Sequence, residues 1–590
     1  MSIEKSLLRV FDLLPQNLAK NNFEDSFCNK INGEWSKNSG EEMIKKINLM
    51  SHGLYALGIR KDDKVAIISN SRPEWNITDF GIQQLGAVSV PMYPTITVED
   101  YRYIFNDAGV KIVFVADKNL YDKVIDSIST LSEKPIVYSY DMLTGVNHFA
   151  DVLNLGKNGD DAKLEEMKAA VKPEDLLTLI YTSGTTGFPK GVMLTHSNIV
   201  SNVEGCIEYF SVDNNDKVLS FLPLCHIYER TVIYIYIKLG VRVYYAESME
   251  TIAENIREVK PAMFTTVPRL LEKVYDKIVS KGYELTGIKK SLFFWALNLG
   301  LRFDPTQNMG FVYNTQLKIA RKLIFSKWQE ALGGNIKLIC SGSAALQPRL
   351  SRIFWAAGIP IAEGYGLTET SPVISTSRVN PIDFRVGCVG TVIKDVQVKI
   401  AEDGEILCKG PNVMKGYYNK PEATAEAIDS DGWFHTGDIG TLVEGRFLKI
   451  TDRKKEIFKT SGGKYVAPQQ VENKLKESLF IEQCMVVGEN QKFPSALVIP
   501  DFTALNEWAK ANNIEANTNS ELIKNEQVKA HYDKEVERLM ADIAQYERVK
   551  KITLLPRLFN IEEGELTAKL SLKRKAITEK NKSLIEAMYL

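Results

Sequence analysis

The sequence predicts a mixed α/β protein in which layered α/β subdomains precede a β-rich segment and a small α/β unit. In the first third, short apolar runs alternate with helix-like stretches; KVAIIS and AVSVPMY, for example, flank the helical pattern of PEWNITDFGIQQLG. Such alternation predicts βαβ units and a largely parallel sheet. After about residue 385 the pattern becomes richer in β-strand, as in VGTVIKDVQVKIA. The final unit combines the helical pattern VAPQQVENKLKES with strand-like runs such as SALVIPD.

Composition and charge are those of an ordinary globular protein. The chain has 590 residues, 44% of them hydrophobic and 25% charged, and its net charge is −1. The length predicts several domains, and the charge balance argues against a nucleic-acid partner, which would require a strongly basic domain. The seven cysteines are scattered without a C-x-x-C pair, so we expect no disulfide framework and a reducing cytoplasm. The N-terminus does not resemble a secretory signal, and no uncharged run is long enough to span a bilayer.

A glycine-rich loop, YTSGTTGFPKG at Tyr181–Gly191, lies between the apolar run LLTLI and the stretch VMLTHSNIVSNV, which could open a helix. A strand that enters such a turn suits phosphate binding, because glycines let backbone N–H groups face the oxygens. The loop is not a Walker motif, because Lys190 is followed by glycine rather than by serine or threonine. On composition alone, a flexible surface loop is an equal alternative.

The segment KKSLFFWALNLGLRF, at Lys289–Phe303, has a basic entry and a crowded aromatic and aliphatic body. Two interpretations stay open. The segment forms either a buried helix or a membrane-surface contact near a lipid entrance. The second interpretation would place the protein peripherally at the inner face of a membrane.

Further motifs follow the glycine-rich loop in a fixed order. They are LPLCHIYER at Leu222–Arg230, SGSAAL at Ser341–Leu346, EGYGLTETSP at Glu363–Pro372, GWFHTGDIG at Gly432–Gly440 and DRKKEIFKTSGGKYVAPQQVE at Asp452–Glu472. Together these motifs resemble those of the adenylate-forming superfamily, and the chain is most similar to long-chain fatty acyl-CoA synthetases. The resemblance spans nearly the whole chain.

The resemblance implies a two-step reaction that uses ATP, Mg²⁺, coenzyme A (CoA) and a long-chain fatty acid. The acid would attack ATP to give acyl-AMP and pyrophosphate, and the CoA thiol would then displace AMP. It also implies two domains, residues 1–452 for ATP and acyl binding and a small mobile α+β domain, residues 453–590, that rotates between the steps. Two alternatives stay open: an acyl-AMP ligase that serves a carrier protein, and a weakly active homologue that binds nucleotide or acyl groups.

The resemblance also implies which residues contact ATP. The phosphate loop would consist of Thr182, Ser183, Gly184, Thr185, Thr186, Gly187 and Lys190, with Thr185 and Lys190 in catalytic roles. The adenine would lie between two groups, Gly342, Ser343 and Ala344 on one side and Glu363, Gly364, Tyr365 and Gly366 on the other. Thr368 would contact the α-phosphate, and Glu369 would bind magnesium, a hard cation that prefers carboxylate oxygen. The alternative for this pair is a helix-capping threonine beside a solvated glutamate.

Four other residues have roles implied by the resemblance. Asp438 would accept hydrogen bonds from both ribose hydroxyls, and Arg453 would help to hold the ribose and phosphate. Asp452 lies at the family's hinge, and His226 lies where the family places a group near the acyl carboxylate. The alternatives are a turn residue for Asp438, a surface ion pair for Asp452 and a structural histidine at 226.

The C-terminal segment departs from the family pattern L-T-P-T-x-K-x-K-R. The chain reads LTAKLSLKRK at Leu566–Lys575, which places Ser571 where the family carries a catalytic lysine. In an extended segment, Lys569 and Lys573 lie on the same side as Ser571, each about 6.6 Å away between Cα atoms. We therefore expect Lys569 to supply the missing charge, with Lys573 as the alternative. A third interpretation is that both lysines are solvated or touch a CoA phosphate.

Overall fold

The structure is a computed structural model that describes residues 9–18, 21–182, 189–567 and 571–590. The chain divides into two compact units. Unit 1 comprises Met1–Lys399, Leu407–Thr436 and Leu442–Leu448, and unit 2 comprises Ile400–Ile406, Gly437–Thr441 and Lys449–Leu590. Four strands are divided by this boundary along the chain: Gln397–Ile400, Glu405–Lys409, Phe434–Val443 and Phe447–Arg453.

Unit 1 contains an eight-stranded sheet that is largely parallel, as the alternating pattern predicts. In spatial order its strands are Gly416–Tyr417, Lys190–Thr195, Leu176–Thr182, Val88–Pro91, Lys64–Ile68, Val110–Val115, Ile136–Ser139 and Asn147–His148. The first two pairs of neighbours in this order are antiparallel, and the other five pairs are parallel. Val65 and Ile67 pack into one apolar cluster, and Ala66 and Ile68 pack into another. Both faces of the sheet are therefore covered.

A second sheet contains the strands from which the motifs SGSAAL and EGYGLTETSP begin. The nine strands that lie in unit 1 are, in spatial order, Glu34–Asn38, Phe27–Ile31, Arg242–Tyr245, Lys217–Ser220, Met263–Thr266, Leu338–Ser341, Ile361–Gly366, Val373–Thr376 and Thr391–Val392. Every pair of neighbours from Phe27–Ile31 to Ile361–Gly366 is parallel. The carboxyl ends of these strands therefore share one edge of the sheet.

The helices of unit 1 begin where the sequence supplies caps. Ser39, Thr97 and Thr195 each start a helix with a capping box, in which the side chain and the third residue satisfy each other's backbone N–H groups. The α-helices are Leu13–Leu18, Gly40–Ala56, Pro73–Gln84, Val98–Ala108, Lys118–Ile128, Phe149–Gly156, Asp161–Ala170, His196–Cys206, Ile227–Leu239, Ile252–Val259, Pro268–Glu284, Gly287–Leu301, Phe311–Ala320, Ser326–Ala331, Pro348–Ala356 and Pro421–Ala427. Shorter helical turns are Val10–Asp12, Ile207–Tyr209, Thr368–Thr370 and Pro381–Asp383, and Arg321–Phe325 is a π-helical turn.

Unit 2 is an α+β structure, as predicted. Its strands are Ile481–Val487, Ser495–Pro500 and Lys551–Leu554 in one sheet and Phe458–Lys459 with Tyr465–Val466 in another. Its helices are Pro468–Leu475, Phe502–Ala511, Asn519–Leu522, Glu526–Leu539, Arg574–Lys580 and Lys582–Ala587. The helix predicted in VAPQQVENKLKES is present, and Pro468 occupies its first turn, where a missing N–H has no cost. The predicted fold class is confirmed.

Two further sequence predictions concern the environment of the chain. All seven cysteines lie in the described residues, and all are free thiols, which agrees with the predicted lack of a disulfide framework. Within the same part of the chain, no helix is both long enough and apolar enough to cross a bilayer.

Candidate active site

Two of the motifs meet at the carboxyl edge of the second sheet. Ser341 pairs in register with Glu363 on the neighbouring parallel strand, and adjacent strands lie about 4.8 Å apart. Gly342 is buried, whereas Ser343 and Ala344 are exposed at the end of their strand. Ser343 has a φ of +69°, an uncommon value for a residue with a side chain. The structure thus brings together the two groups that the sequence assigns to the adenine.

Gly366 is required by the local backbone. A Cβ atom at this position would lie 1.8 Å from the Pro372 carbonyl oxygen, whereas at Gly364 the nearest atom would be 3.7 Å away. The strand Ile361–Gly366 folds back against Val373–Thr376, with a register shift between Tyr365 and Gly366. The close approach at Gly366 therefore comes from the chain's own turn.

Glu363 is a buried carboxyl at this edge. Burial raises the pKa of Glu363 to about 8, so the group is largely protonated at neutral pH. Its Oε1 atom is buried and has no hydrogen-bond partner within the described residues. Because buried polar atoms are nearly always paired, this orphaned oxygen fits a site that is completed by a bound molecule.

Tyr417 contacts both Lys190 and Glu369. Its hydroxyl donates a 2.9 Å hydrogen bond to Glu369 Oε1, and the Lys190 Nζ atom lies 5.0 Å from the centre of its ring. Tyr417 pairs with Val192, on the strand that begins at Lys190. Two residues that the sequence assigns to ATP and magnesium are therefore brought to one tyrosine side chain, Lys190 at the ring and Glu369 at the hydroxyl. No local sequence pattern marks Tyr417, which sequence analysis missed.

The turn that carries Thr368 and Glu369 is held by amide side chains from two other segments. Asn202 donates to the Val373 carbonyl at 2.8 Å, and Asn412 donates to the Thr370 carbonyl at 3.2 Å. Thr368 is buried, and Glu369 is half-buried at the surface of this turn. Leu367 occupies the N-cap position of the short helical turn Thr368–Thr370, so Thr368 is not the helix-capping threonine of the alternative interpretation.

The glycine-rich loop joins two antiparallel strands. Thr182 pairs with Lys190, the last and first residues of the strands Leu176–Thr182 and Lys190–Thr195. Ser183, Gly184, Thr185, Thr186 and Gly187 lie outside the described residues. The helix suggested by VMLTHSNIVSNV begins only at His196, because the stretch before it is a strand whose residues pack into the sheet. The loop is therefore a hairpin connection rather than a strand-to-helix turn.

His226 caps the helix Ile227–Leu239. Its Nδ1 atom accepts the Tyr228 backbone N–H at 3.1 Å, which places the proton of the neutral ring on Nε2. Its ring meets the edge of Tyr93 at 6.4 Å between centres. This capping contact supports the structural interpretation of His226 and fixes the orientation of the imidazole.

A small apolar cavity follows the same helix. It has a volume of about 30 Å³ and is lined by Cys206, Phe210, Tyr228, Val232, Ile235 and Gly364, among others. The Tyr228 hydroxyl donates to the Cys340 carbonyl at 3.1 Å, at the base of the SGSAAL motif. The lining of the cavity includes Gly364 of the EGYGLTETSP motif together with Tyr228 and Ile235, which are separated by about 10 Å along the helix. Sequence analysis did not identify it.

Glu229 and Arg230, the last residues of LPLCHIYER, are fully buried. Glu229 accepts a 2.5 Å hydrogen bond from Ser220 and a second from Thr265, and burial raises the pKa of its carboxyl to about 7. Arg230 forms an ion pair with Asp79, which is also fully buried. The sequence marks both residues as part of a motif but does not show that they lie inside the core.

Arg230 is the centre of a buried polar network. Its guanidinium donates to Asp79, Ser89, Thr178 and Tyr234. Thr178 belongs to the strand that ends at Thr182, and Arg230 belongs to the helix that His226 caps. The network therefore joins the strand before the glycine-rich loop to the helix beside the apolar cavity.

In unit 2, Asp438 and Arg453 lie together. The Arg453 Nε atom is 3.4 Å from Asp438 Oδ1. Asp438 is buried on the strand Phe434–Val443, and most of the Arg453 side chain is exposed. The two residues that the sequence assigns to the ribose are thus neighbours. Asp438 lies within a strand, so its alternative role as a simple turn residue is wrong.

Asp452 is buried and bound to backbone. Its carboxylate accepts the N–H groups of Arg453 at 2.6 Å and of Gln469 at 3.0 Å. Burial nevertheless raises the pKa of Asp452 to about 6. The surface ion pair that was the alternative interpretation is therefore wrong, because the side chain is fixed inside unit 2 by two amides.

The C-terminal segment forms a narrow antiparallel bridge. Leu566 pairs with Leu572, and Thr567 donates its N–H to the Ser571 carbonyl at 2.9 Å. The side chains of Ser571 and Lys573 are exposed, and Lys573 starts the helix Arg574–Lys580. Lys569 lies outside the described residues. Ser571 and Lys573 are thus both exposed, with the half-buried Leu572 between them, which agrees with the prediction that 571 and 573 lie on the same side.

Arg574 anchors this segment. It forms ion pairs with Glu456, which follows the hinge position closely in sequence, and with Glu472. Both oxygens of Glu472 accept from the guanidinium at 2.8 Å, a geometry that gives strong and directional pairing.

Two family models match the chain. The AMP-binding enzyme model covers residues 17–418, and the model of the AMP-binding enzyme C-terminal domain covers residues 455–590. The chain belongs to the AMP-binding enzyme family.

Curated members of the family are similar over most of their length. The long-chain-fatty-acid–CoA ligase FadD15 of Mycobacterium tuberculosis is 34% identical over 568 residues, covering 95% of this chain and 93% of that protein. Human long-chain-fatty-acid–CoA ligase 1 is also 34% identical, covering 90% of this chain and 78% of that protein. The predicted resemblance to adenylate-forming long-chain acyl-CoA synthetases is confirmed.

Solved structures share the fold of this AMP-binding enzyme. The anthranilate CoA ligase AuaEII in complex with anthranoyl-AMP matches with a TM-score of 0.73 at 18% identity, over 98% of both chains. The adenylation domain of a carboxylate reductase from Mycobacterium chelonae matches with a TM-score of 0.76 at 21% identity, over 99% of this chain and 92% of that one. At these identities, the likeness shows the fold alone.

Proposed function

We propose that this AMP-binding enzyme is a long-chain-fatty-acid–CoA ligase. The fatty acid carboxylate attacks the α-phosphorus of ATP, and pyrophosphate leaves. The CoA thiol then attacks the acyl carbon, and AMP leaves as acyl-CoA forms. The observation that carries the proposal is that Lys190 and Glu369 both contact Tyr417, beside motifs of an AMP-binding enzyme whose relatives are named as such ligases.

The first step concentrates negative charge, and preorganised donors stabilise it. In the proposal, the loop from Thr182 to Lys190 holds the β- and γ-phosphates, and Thr368 contacts the α-phosphate. Glu363 and Tyr365 contact the adenine, for which the buried and unpaired Oε1 of Glu363 offers a polar partner. Asp438 and Arg453 hold the ribose. His226, whose Nδ1 is engaged as a cap, presents Nε2 toward the acyl carboxylate.

The residues present fit a magnesium ion. Glu369 is a half-buried carboxylate whose orientation is fixed by the Tyr417 hydroxyl, which resembles the outer-shell support of ligating carboxylates. Bound there with ATP, Mg²⁺ would neutralise phosphate charge during the first step. Tyr417 would keep one Glu369 oxygen occupied and leave the other directed to the metal.

The second step uses CoA and a change of domain arrangement. In the proposal, residues 1–452 bind ATP and the acid, and residues 453–590 rotate to bring CoA to the acyl-AMP. Lys569, or Lys573 in its place, supplies the positive charge that Ser571 lacks. The exposed side chain of Lys573 supports its availability.

The apolar cavity is the proposed entry of the acyl chain. Its lining includes Tyr228, two residues after His226, and Phe210. A cavity of about 30 Å³ accommodates little more than one water-sized group, so a long chain enters only as the lining side chains move. Each buried methylene then contributes about 0.8 kcal/mol to binding, which favours long acids over short ones.

The test is pyrophosphate release from ATP and magnesium with saturated acids of increasing length, with and without CoA. The proposal predicts release that requires acid and CoA, rises toward long chains and is accompanied by thioester formation. Release in the absence of CoA, without thioester in its presence, would indicate an acyl-AMP ligase that serves a carrier protein. ATP binding without acid-dependent release would indicate a binding homologue in which Ser571 has disabled the first step.

A further inference from the structure

The narrow antiparallel bridge of the C-terminal segment is closed at its base. We call residues 566–573 the lysine segment; positions 568–570 lie outside the described residues. At the end of this segment, Lys573 donates its backbone N–H to the Glu565 carbonyl at 2.8 Å. The Glu565 side chain is buried, and both of its carboxylate oxygens accept from the Arg557 guanidinium, at 2.7 and 2.8 Å. The two ends of the lysine segment are therefore tied to each other.

Arg574, the residue after the lysine segment, fixes that segment to two carboxylates of unit 2. Its guanidinium donates to both oxygens of Glu472 at 2.8 Å and to Glu456 Oε2 at 2.9 Å. Glu472 is buried, and its Oε1 atom also accepts the Val486 backbone N–H at 2.7 Å. The Arg574 side chain is only 19% exposed. Because paired hydrogen bonds of this kind are directional, Arg574 holds the end of the segment in one orientation.

The main partner of Arg574 lies beside the hinge residue, Asp452. Glu472 belongs to the helix Pro468–Leu475, and Asp452 accepts the Gln469 N–H, in the first turn of that helix, at 3.0 Å. The hinge residue is thus bound to the element that carries Glu472.

Glu456 connects the hinge residue to Arg574 more directly. Burial is the main cause of the raised pKa of Asp452, but the charge of Glu456 also raises that pKa and the charge of Arg574 lowers it. Because the interaction between charges falls with distance, both groups lie close enough to act on the Asp452 carboxylate. We call Asp452, Glu456, Glu472 and Arg574 the hinge cluster.

We propose that Arg574 is a positioning residue for the first step of the reaction. It sets the place of the lysine segment relative to Asp452, so that the cation that the segment carries reaches the acid and the α-phosphate of ATP. The inference rests on the proposed function, because it concerns the lysine that the first step uses. It holds whether that lysine is Lys569 or Lys573, since Arg574 ends the segment that contains both.

Loss of a positioning residue should affect the two steps of the reaction differently. The first step concentrates negative charge from a carboxylate and a triphosphate, and a fixed cation stabilises that charge. Thioester formation begins from acyl-AMP, after pyrophosphate has left, and makes no such demand. Because a misplacement of about 1 Å can lower a rate about 10²-fold, loss of Arg574 should slow the first step selectively. A purely structural role would slow both steps together.

The test compares the two steps in the full-length protein. Single-turnover pyrophosphate release is measured with ATP, magnesium and palmitate, and thioester formation is measured with synthetic palmitoyl-AMP and CoA. Arg574→Met is expected to slow pyrophosphate release at least about tenfold and to leave thioester formation within about twofold of the wild-type rate. Arg574→Lys keeps the charge but cannot form two parallel hydrogen bonds with Glu472, so we expect it to slow the first step nearly as much.

Glu456→Gln tests the link to the hinge residue without leaving a buried charge unpaired. Glu456 is 26% exposed, and Arg574 keeps its paired hydrogen bonds to Glu472 in this variant. Pyrophosphate release should fall about threefold, the effect of losing a partly exposed ion pair, while the urea midpoint of unfolding stays that of the wild type. An unchanged rate of pyrophosphate release would overturn the link to the hinge.

Arg538→Met is the matched control. Arg538 also donates two hydrogen bonds to one carboxylate of unit 2, that of Glu535, at 2.7 and 3.0 Å. It lies on the helix Glu526–Leu539, outside the lysine segment, so both steps should keep their rates. Equal slowing of both steps in Arg574→Met, or full activity of Arg574→Lys, would overturn the inference alone. A wild type that releases no pyrophosphate with palmitate or any other saturated acid would overturn the proposed function and this inference with it.

Discussion

Arg230→Met should destabilise unit 1 by about 3–5 kcal/mol, because it leaves the carboxylate of Asp79 buried without its cation. Both side chains are fully buried in the structure. The guanidinium also satisfies three hydroxyl groups, those of Ser89, Thr178 and Tyr234. Asp79→Leu should cost a similar amount, since it leaves Arg230 as the uncompensated charge.

The double variant Arg230→Met/Asp79→Leu gives the sharper result. It removes both charges together, and the remaining cost is that of rearranging the hydroxyls of Ser89, Thr178 and Tyr234, about 1–3 kcal/mol. The sum of the single effects should therefore exceed the effect of the double variant by at least about 3 kcal/mol.

The measurement is urea denaturation of all four proteins, followed by tryptophan fluorescence and circular dichroism. Trp75 is a suitable reporter, because its ring lies 5.3 Å from the Arg230 guanidinium and is fully buried. Single effects that simply add in the double variant would refute the argument, because they would show that the two charges do not depend on each other.

Three further predictions concern the site. Tyr417→Phe should raise the magnesium concentration needed for half-maximal pyrophosphate release about tenfold or more, because Glu369 loses its orienting partner; an unchanged magnesium titration would contradict this. For Glu229, burial raises the folded-state pKa to about 7, above its ordinary value. The contribution of the protonated Glu229 to the free energy of unfolding is therefore present at low pH and is lost as the pH rises through 7. Glu229→Gln should flatten the fall in melting temperature between about pH 5 and pH 8, and an identical slope would exclude Glu229 as its source. Ser571→Lys should raise single-turnover pyrophosphate release by up to about 10²-fold, with Ser571→Met as the uncharged control; no increase would mean that another lysine already supplies the charge.

The sequence predicts well where local pattern decides the structure. Alternating apolar runs identify the parallel strands, because a buried strand between helices must be apolar on both faces. Neighbouring parallel strands then place SGSAAL and EGYG at one edge. The family membership, which is confirmed, could be predicted because the order of the motifs is read directly from the sequence.

The remaining features depend on contacts between distant segments. Tyr417 follows Glu369 by 48 residues, and their hydrogen bond exists only because a two-residue strand pairs beside Lys190. Likewise, Arg230 and Asp79 are 151 residues apart, and a charged residue in a motif gives no sign of complete burial. The stretch VMLTHSNIVSNV could open a helix on sequence alone, but VMLT belongs to the strand Lys190–Thr195 and the helix begins at His196, because so few residues fit either pattern.

The contact at Tyr417 has a consequence for synthesis of the protein. Lys190 and Glu369 leave the ribosome well before Gly416 and Tyr417, yet these last two residues form the strand that brings the tyrosine side chain to both of them. A nascent chain that has not reached Tyr417 has neither the partner of Glu369 nor the ring beside Lys190. The proposed ATP site is therefore completed late in translation, when most of unit 1 is already available to fold around it.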